Sequence, residues 1–234
     1  MTRLLVHVEG QTEETFVNEV LADYLLSRGY TSVSARIVGN ARQRDRRGGI
    51  KAWSSVCNDI VNHLKEDRGC IATTMVDYYG LPATGPKAWP GRDAAKSLQH
   101  SQKAKAVEDR IAFEVSQKMD LRIPFDRFIP YVVMHEFEAL LFSDCQVFAE
   151  SIYREDLKDF FQDIRNLVGC PEEINDSPET APSKRIERLF PQYNKPIYGT
   201  LAAAGVGLDK IKSECPQFSE WLEKLEAAAI NRLN

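Results

Sequence analysis

The sequence predicts an α/β protein with a mainly parallel four-stranded sheet, flanked by helices and followed by a helical C-terminal extension. Strand and helix patterns alternate over the first 77 residues, which is typical of parallel strands joined by right-handed crossovers. The first strand-like run, residues 4–8, is apolar in the way expected for a strand buried on both faces of a sheet. Strand patterns then end near residue 145, and the rest of the chain is predicted to be helical.

The first strand is predicted at residues 4–8, and a helix begins near Thr12. A hydroxyl that can cap the helix is followed there by two acidic residues, which suit the positive end of the helix dipole. The other strands are predicted at residues 33–38, 70–76 and 128–134, and further helices at residues 50–64, 103–118 and 136–142. The Gly- and Pro-rich stretch 78–102 is predicted to be a long loop, which in a compact domain is often functional.

Length and composition indicate a globular chain. Its 234 residues, 43% of them hydrophobic, are enough for a core that needs no disulfide or metal. The five cysteines show no C-x-x-C spacing, and no run approaches the roughly 18 apolar residues of a membrane span. We therefore expect a cytoplasmic protein without membrane contact. We divide it into an α/β core (1–145) and a helical C-terminal extension packed on that core (146–234).

Acidic residues follow three of the four predicted strands. Glu9 comes after the first strand, Asp77 after the third, and Glu136 and Glu138 after the fourth. The carboxyl ends of parallel strands meet at one edge of a sheet, where ligands bind in open α/β folds. Such a cluster favours a hard divalent cation, Mg²⁺ or Mn²⁺, that can polarise a phosphodiester. Taken singly, Glu9 could be a turn residue and Asp77 a cap, and Glu136 and Glu138 point in different directions.

A basic loop follows the second predicted strand. The window from Arg36 to Lys51 carries a net charge of +5, although the whole chain has a net charge of −4. A solvated charge run is one interpretation, and contact with a nucleic-acid backbone is the other. The candidate nucleic-acid-binding residues are Arg42, Arg44, Arg46 and Arg47, together with Arg92 and Lys96 of the long loop.

Several motifs resemble the bacterial domain-of-unknown-function family numbered 4276. They are VEGQTE at 8–13, DYYG at 77–80, HEFEALLF at 135–142, and PSKRI and LFPQY at 182–193. The resemblance covers nearly the whole chain. That family is similar in turn to the Toprim fold of topoisomerases, primases and the nucleases of the overcoming-lysogenisation-defect type, so a Toprim-like, Rossmann-like core is implied.

The resemblance also implies roles for individual residues. Glu9 matches the Toprim glutamate that acts in acid–base catalysis or metal binding, and Asp77 matches the first aspartate of an Asp-x-Asp pair. Tyr79 stands in the place of the second aspartate, which either weakens the metal site or shifts a ligand role to Glu136 or Glu138. Relatives of this kind often sit beside an ATPase partner in bacterial anti-phage defence, and this chain has no phosphate-binding G-x-x-x-x-G-K-[ST] loop of its own.

Three functional hypotheses follow. The first is a Toprim-like, Mg²⁺-dependent nuclease that acts with an ATPase partner in anti-phage defence. The second is a catalytically inactive binding or regulatory subunit on the same fold, which the missing second aspartate favours. The third, with the least support, is a small-nucleotide or phosphoryl-transfer enzyme. The sequence leaves open whether the substrate is DNA or RNA and whether the chain forms a homo-oligomer.

Overall fold

A computed structural model describes residues 2–38, 50–119, 126–174, 177 and 179–231. Within these ranges the strands are β1 (Arg3–Val8), β2 (Ser32–Ile37), β3 (Cys70–Asp77), β4 (Phe128–Ile129) and β5 (Val132–Val133). The helices are α1 (Gln11–Phe16), α2 (Ala22–Leu26), α3 (Trp53–Glu66), α4 (Arg92–Ala95), α5 (His100–Lys118), α6 (Cys145–Ser151), α7 (Lys158–Arg165), α8 (Pro182–Leu189), α9 (Thr200–Val206), α10 (Leu208–Glu214) and α11 (Pro216–Ile230). A π-helical segment (Val17–Leu21) joins α1 to α2, and another (Lys195–Gly199) precedes α9.

The sheet confirms the predicted fold class. Its strand order is β2-β1-β3-β4, with β5 pairing the far end of β3, and every pairing is parallel. Strand β3 lies at the centre and is buried along its whole length. The helical C-terminal region is also present as predicted. Because all strands run the same way, the residues that follow β1, β3 and β5 lie at one edge of the sheet.

The fourth predicted strand, residues 128–134, is interrupted in the middle. Pro130 has no backbone N–H to offer a neighbouring strand. The N–H of Tyr131 donates to Oγ1 of Thr74 over 3.0 Å, and the N–H of Val132 donates to Oε1 of Glu108 over 2.9 Å. Side chains therefore replace backbone partners at this point, and the pairing breaks into the short strands β4 and β5.

Two other predictions differ from the structure in detail. The stretch 78–102 is not all loop, because it contains α4 and the first turn of α5. The helix predicted at residues 136–142 is a 3-10 helix, Phe137–Ser143, whose residues are all buried. The segment after β5 is thus tightly wound and packed inside the protein, which fixes the backbone beside the strand ends.

The C-terminal helices pack directly against the sheet. The indole of Trp221 in α11 stacks on the ring of Tyr131 at 4.5 Å and donates to Oγ1 of Thr73 over 2.9 Å. The hydroxyl of Tyr30 donates to the carbonyl of Leu225 over 2.8 Å. One hydrophobic cluster contains residues of β1, of the first helices and of α11. The α/β core and the extension therefore share a hydrophobic core, and the boundary at residue 145 stays a prediction.

None of the helices in the described part of the chain is both long and apolar enough to cross a membrane.

Candidate functional site

Glu9 and Asp77 lie at the ends of two neighbouring strands, at the same edge of the sheet. In the register of β1 and β3, Val8 lies opposite Met75, so Glu9 comes just beyond β1. Asp77 is the last residue of β3 and lies opposite Val133 of β5. The chain after β3 turns back over Glu9. A Cβ atom placed on Gly80 would lie 3.1 and 3.2 Å from the two carboxylate oxygens of Glu9. The structure thus brings together the two acids that the strand pattern singled out.

The segment after β5 is tied to the same place. The N–H of Phe137 donates to Oδ1 of Asp77 over 2.9 Å. Glu136 points away toward α8, where its Oε2 accepts the N–H of Ser183 over 3.0 Å. Glu138 is completely buried and pairs with the ammonium of Lys195 at 2.8 Å. The two glutamates therefore point in different directions, as predicted.

Two members of the site were not among the predicted site residues. Glu13 is buried in the first turn of α1, and its Oε2 accepts the N–H of Gly10 over 2.9 Å. This contact turns the Glu13 side chain back toward Glu9. Lys195 comes from the π-helical segment before α9, far along the chain. We call the group of carboxylates near Lys195 the acidic cluster; its members are Glu9, Glu13, Asp77, Glu136 and Glu138.

Burial raises the pKa values of four acids of the cluster, namely Glu9, Glu13, Asp77 and Glu138. Burial is the main cause that raises the pKa of Glu9 to about 7, and repulsion by Glu13 adds to it. Burial also raises the pKa of Glu138 to about 7 against the opposing effect of Lys195. The pKa of Asp77 lies well above its usual range because the side chain is buried beside Glu13 and Glu9. Ionising these acids together calls for additional positive charge nearby.

The buried carboxylates offer oxygen ligands of the kind that a hard divalent cation takes. Among the described residues, no group of three or more His, Cys, Asp or Glu side chains is arranged as a metal site. Mg²⁺, however, usually takes one or two carboxylates and completes its shell with water and substrate phosphate. Within the described ranges, Oε2 of Glu9 is buried and has no hydrogen-bond partner. Glu9 and Asp77 are therefore the residues that would hold such a cation.

Comparison with known proteins places the chain in a family. A family model described as a domain of unknown function, DUF4276, matches residues 8–226. The chain belongs to the DUF4276 family. The match begins immediately before Glu9 and reaches into α11, so it includes the acidic cluster. Searches of curated proteins and of solved structures found no match. The predicted family membership is confirmed, whereas the relationship to Toprim proteins stays a prediction.

Two of the six predicted nucleic-acid-binding residues of this DUF4276 chain lie in the described ranges, and both contact other residues of the protein. Arg92 donates to the carbonyl and the hydroxyl of Tyr78, each over 3.1 Å, and its guanidinium lies 3.9 Å from the centre of that ring. Lys96 is exposed and pairs with Asp93 at 2.9 Å. Arg92 therefore fixes the backbone after β3. The other four candidates, Arg42, Arg44, Arg46 and Arg47, lie outside the described residues.

Substituting Glu9 by Gln should make the stability of the protein less dependent on pH. The pKa of Glu9 is about 7 in the folded chain and about 4.3 in an unfolded one. Its protonation therefore stabilises the fold fully below the unfolded pKa, and this contribution is lost as pH rises through 7. Gln cannot ionise, so Glu9→Gln should nearly match the wild type at pH 4 and exceed it by on the order of 3 kcal/mol at pH 8.5. Urea denaturation at both pH values measures the difference.

The exposed Glu19 provides the matched control for that experiment. Glu19→Gln should follow the wild type at both pH values. A gap between the wild type and Glu9→Gln that does not widen with pH would show that Glu9 ionises as freely in the fold as in water.

Proposed function

We propose that this DUF4276 protein is a Toprim-like, Mg²⁺- or Mn²⁺-dependent nuclease that hydrolyses nucleic-acid phosphodiesters. The meeting of Glu9 and Asp77 at one edge of the sheet supports this proposal most strongly. The two acids are distant in sequence, and they sit beside the buried Glu13 and Glu138. A buried cluster of this kind lowers stability at neutral pH, and such groups concentrate at functional sites.

The chain's own residues divide the work of the reaction. A bound divalent cation would polarise the phosphodiester and offset its charge. Asp77 is held in place by the N–H of Phe137, so its carboxylate is oriented before any ligand arrives. Glu9, whose Oε2 has no hydrogen-bond partner among the described residues, can accept a proton from an attacking water. Beside these two acids, the positive charge of Lys195 offsets the negative charge of the Glu138 carboxylate with which it pairs.

Cleavage assays test the proposal directly. Labelled DNA and RNA, each single- and double-stranded, are incubated with the purified protein and Mg²⁺ or Mn²⁺. We expect cleavage of at least one substrate, and its loss when a chelator removes the cation. No cleavage of any substrate with either cation would count against the nuclease.

A second function is favoured by two observations at the same site. Tyr79 stands where a second aspartate is expected, and Glu138 is already paired with Lys195. Both fit a non-catalytic binding or regulatory subunit. Calorimetric titration separates the two hypotheses, because the nuclease requires Mg²⁺ or Mn²⁺ to bind and the regulatory subunit does not.

The resemblance to defence nucleases extends the proposal to partners and location. It supports a cytoplasmic effector that acts with an ATPase against phage, with nucleic acid as its target. A plaque assay on cells that carry the chain and its neighbouring genes tests this extension. We expect protection by the wild type and its loss with Glu9→Gln, and equal plaque counts in both would reject it.

Substituting Gly80 by Ala should weaken Mn²⁺ binding by about tenfold, as loss of a group supporting a metal ligand commonly does. The new methyl group would press on both oxygens of Glu9 and displace them. Calorimetric titration of Mn²⁺ measures the affinity. The exposed Thr84 of the same loop gives the control Thr84→Ala, which should bind like the wild type. Equal affinity of all three proteins would show that Gly80 does not position Glu9.

A further inference from the structure

Lys195 reaches the acidic cluster from the C-terminal extension. Its Nζ lies 2.8 Å from Oε2 of Glu138, and the Glu138 side chain is fully buried while that of Lys195 is 36% exposed. The other carboxylate oxygen of Glu138, Oε1, has no hydrogen-bond partner in the described part of the chain. Asn194 anchors the start of the segment, because its side chain accepts the N–H of Ile197. The backbone of Lys195 is thus fixed, its ammonium pairs with a buried carboxylate, and its side chain is partly exposed to solvent.

The charge of Lys195 acts on the whole cluster. Burial alone would lower the pKa of Lys195, but the carboxylates of Glu138, Asp77 and Glu136 outweigh it and raise that pKa. In return, the ammonium lowers the pKa of Glu9, of Glu13 and of Asp77 against the effect of burial. The single positive charge of Lys195 therefore stabilises the ionised form of several carboxylates. A divalent cation bound to the cluster would have the same effect.

We propose that Lys195 is a built-in counter-ion that competes with a divalent cation for the acidic cluster. This inference rests on the proposed function, because it assumes that the cluster is the cation site. An ammonium and a divalent ion repel each other strongly when they share partly buried carboxylates. The flexible lysine stem and the partial exposure of Lys195 let the ammonium move from Glu138 into solvent as the cation arrives. Lys195 then sets how much free cation is needed to load the site.

Calorimetric titration of Mn²⁺ at pH 8.5 tests the competition. At this pH, the carboxyl groups of Glu9 and Glu138, whose pKa values are about 7, are ionised. We expect Lys195→Gln to bind Mn²⁺ about 10- to 100-fold more tightly than the wild type, because a repelling charge has been removed. Lys212→Gln is the control, since Lys212 pairs with Glu226 and Tyr24 instead, and it should bind like the wild type. Equal or weaker binding by Lys195→Gln would overturn the proposal.

A second measurement uses the wild-type protein and does not depend on a variant that folds. Acetic anhydride acetylates lysine amines in their unprotonated form, and mass spectrometry of peptides reports the rate at each lysine. Because the Lys195 ammonium pairs with the buried carboxylate of Glu138, it should stay protonated and react slowly. We expect Mn²⁺ to accelerate the acetylation of Lys195 several-fold and to leave Lys212 unchanged. An unchanged or slower rate at Lys195 would show that the cation does not displace it.

The two proposals fail in different ways. If Lys195→Gln binds Mn²⁺ more tightly but no nucleic acid is cleaved, the counter-ion proposal is supported and the nuclease proposal is rejected. Cleavage by the wild type, with Mn²⁺ affinity that does not increase in Lys195→Gln, would support the nuclease and reject the counter-ion. Absence of Mn²⁺ binding in both proteins would reject both.

Discussion

Substituting Glu9 by Gln, or Asp77 by Asn, should reduce cation-dependent cleavage of nucleic acid by about 10²- to 10⁴-fold. Each substitution keeps the shape of the side chain but removes the negative charge and the ability to accept a proton. Both side chains lie at the strand ends where the cation is expected, and Oε2 of Glu9 is left without a partner by the described residues. Loss of the charge should therefore lower both cation affinity and turnover, measured by calorimetry and by cleavage of a labelled strand.

Matched substitutions on the surface make that test specific. Glu19 and Asp23 are exposed on the first helices. Glu19→Gln and Asp23→Asn should cleave at the rate of the wild type, when purified in the same way. Cleavage that survives in both Glu9→Gln and Asp77→Asn would show that the activity comes from another site or from a contaminant.

Substituting Trp221 by Ala should lower the free energy of unfolding by about 3–5 kcal/mol. Trp221 is 2% exposed and fills the space between α11 and the sheet. The change removes the stacking on Tyr131, the hydrogen bond to Thr73 and a large buried apolar surface. Urea denaturation followed by circular dichroism measures the loss. Because the sheet and α11 share one core, we expect a single transition in the wild type and in the variant.

The exposed Phe160 of α7 is the control for an aromatic-to-alanine change in the same region. Phe160→Ala should change the free energy of unfolding by less than about 1 kcal/mol. Two separate transitions, or a Trp221→Ala protein as stable as the wild type, would mean that the α/β core folds without the extension.

The sheet and two of the site residues could be predicted because they depend on local pattern and on one topological rule. Apolar runs that alternate with amphipathic helices require parallel strands, and parallel strands bring Glu9 and Asp77 to one edge. The break in the fourth strand is harder to predict from the sequence. Pro130 is visible in the sequence. The backbone N–H groups after it, however, are bonded by the side chains of Thr74 and Glu108, which belong to other elements.

Glu13 and Lys195 belong to the site but were not predicted from the sequence, for two different reasons. Glu13 stands three residues after Gly10 at a helix start, so its side-chain contact with that N–H could have been suggested by capping geometry. Lys195 lies two residues after the LFPQY motif and is not part of it. Only tertiary packing brings it to Glu138, and no spacing in the sequence encodes that contact.

A crystal structure of the protein soaked in Mn²⁺, with anomalous scattering used to locate the metal, tests the central claim most directly. We predict an anomalous peak between the carboxylates of Glu9 and Asp77, with the Lys195 ammonium displaced from Glu138. A crystal that shows no peak at this edge of the sheet, with Lys195 still paired to Glu138 at high Mn²⁺ concentration, would contradict the assignment of the acidic cluster as a cation site.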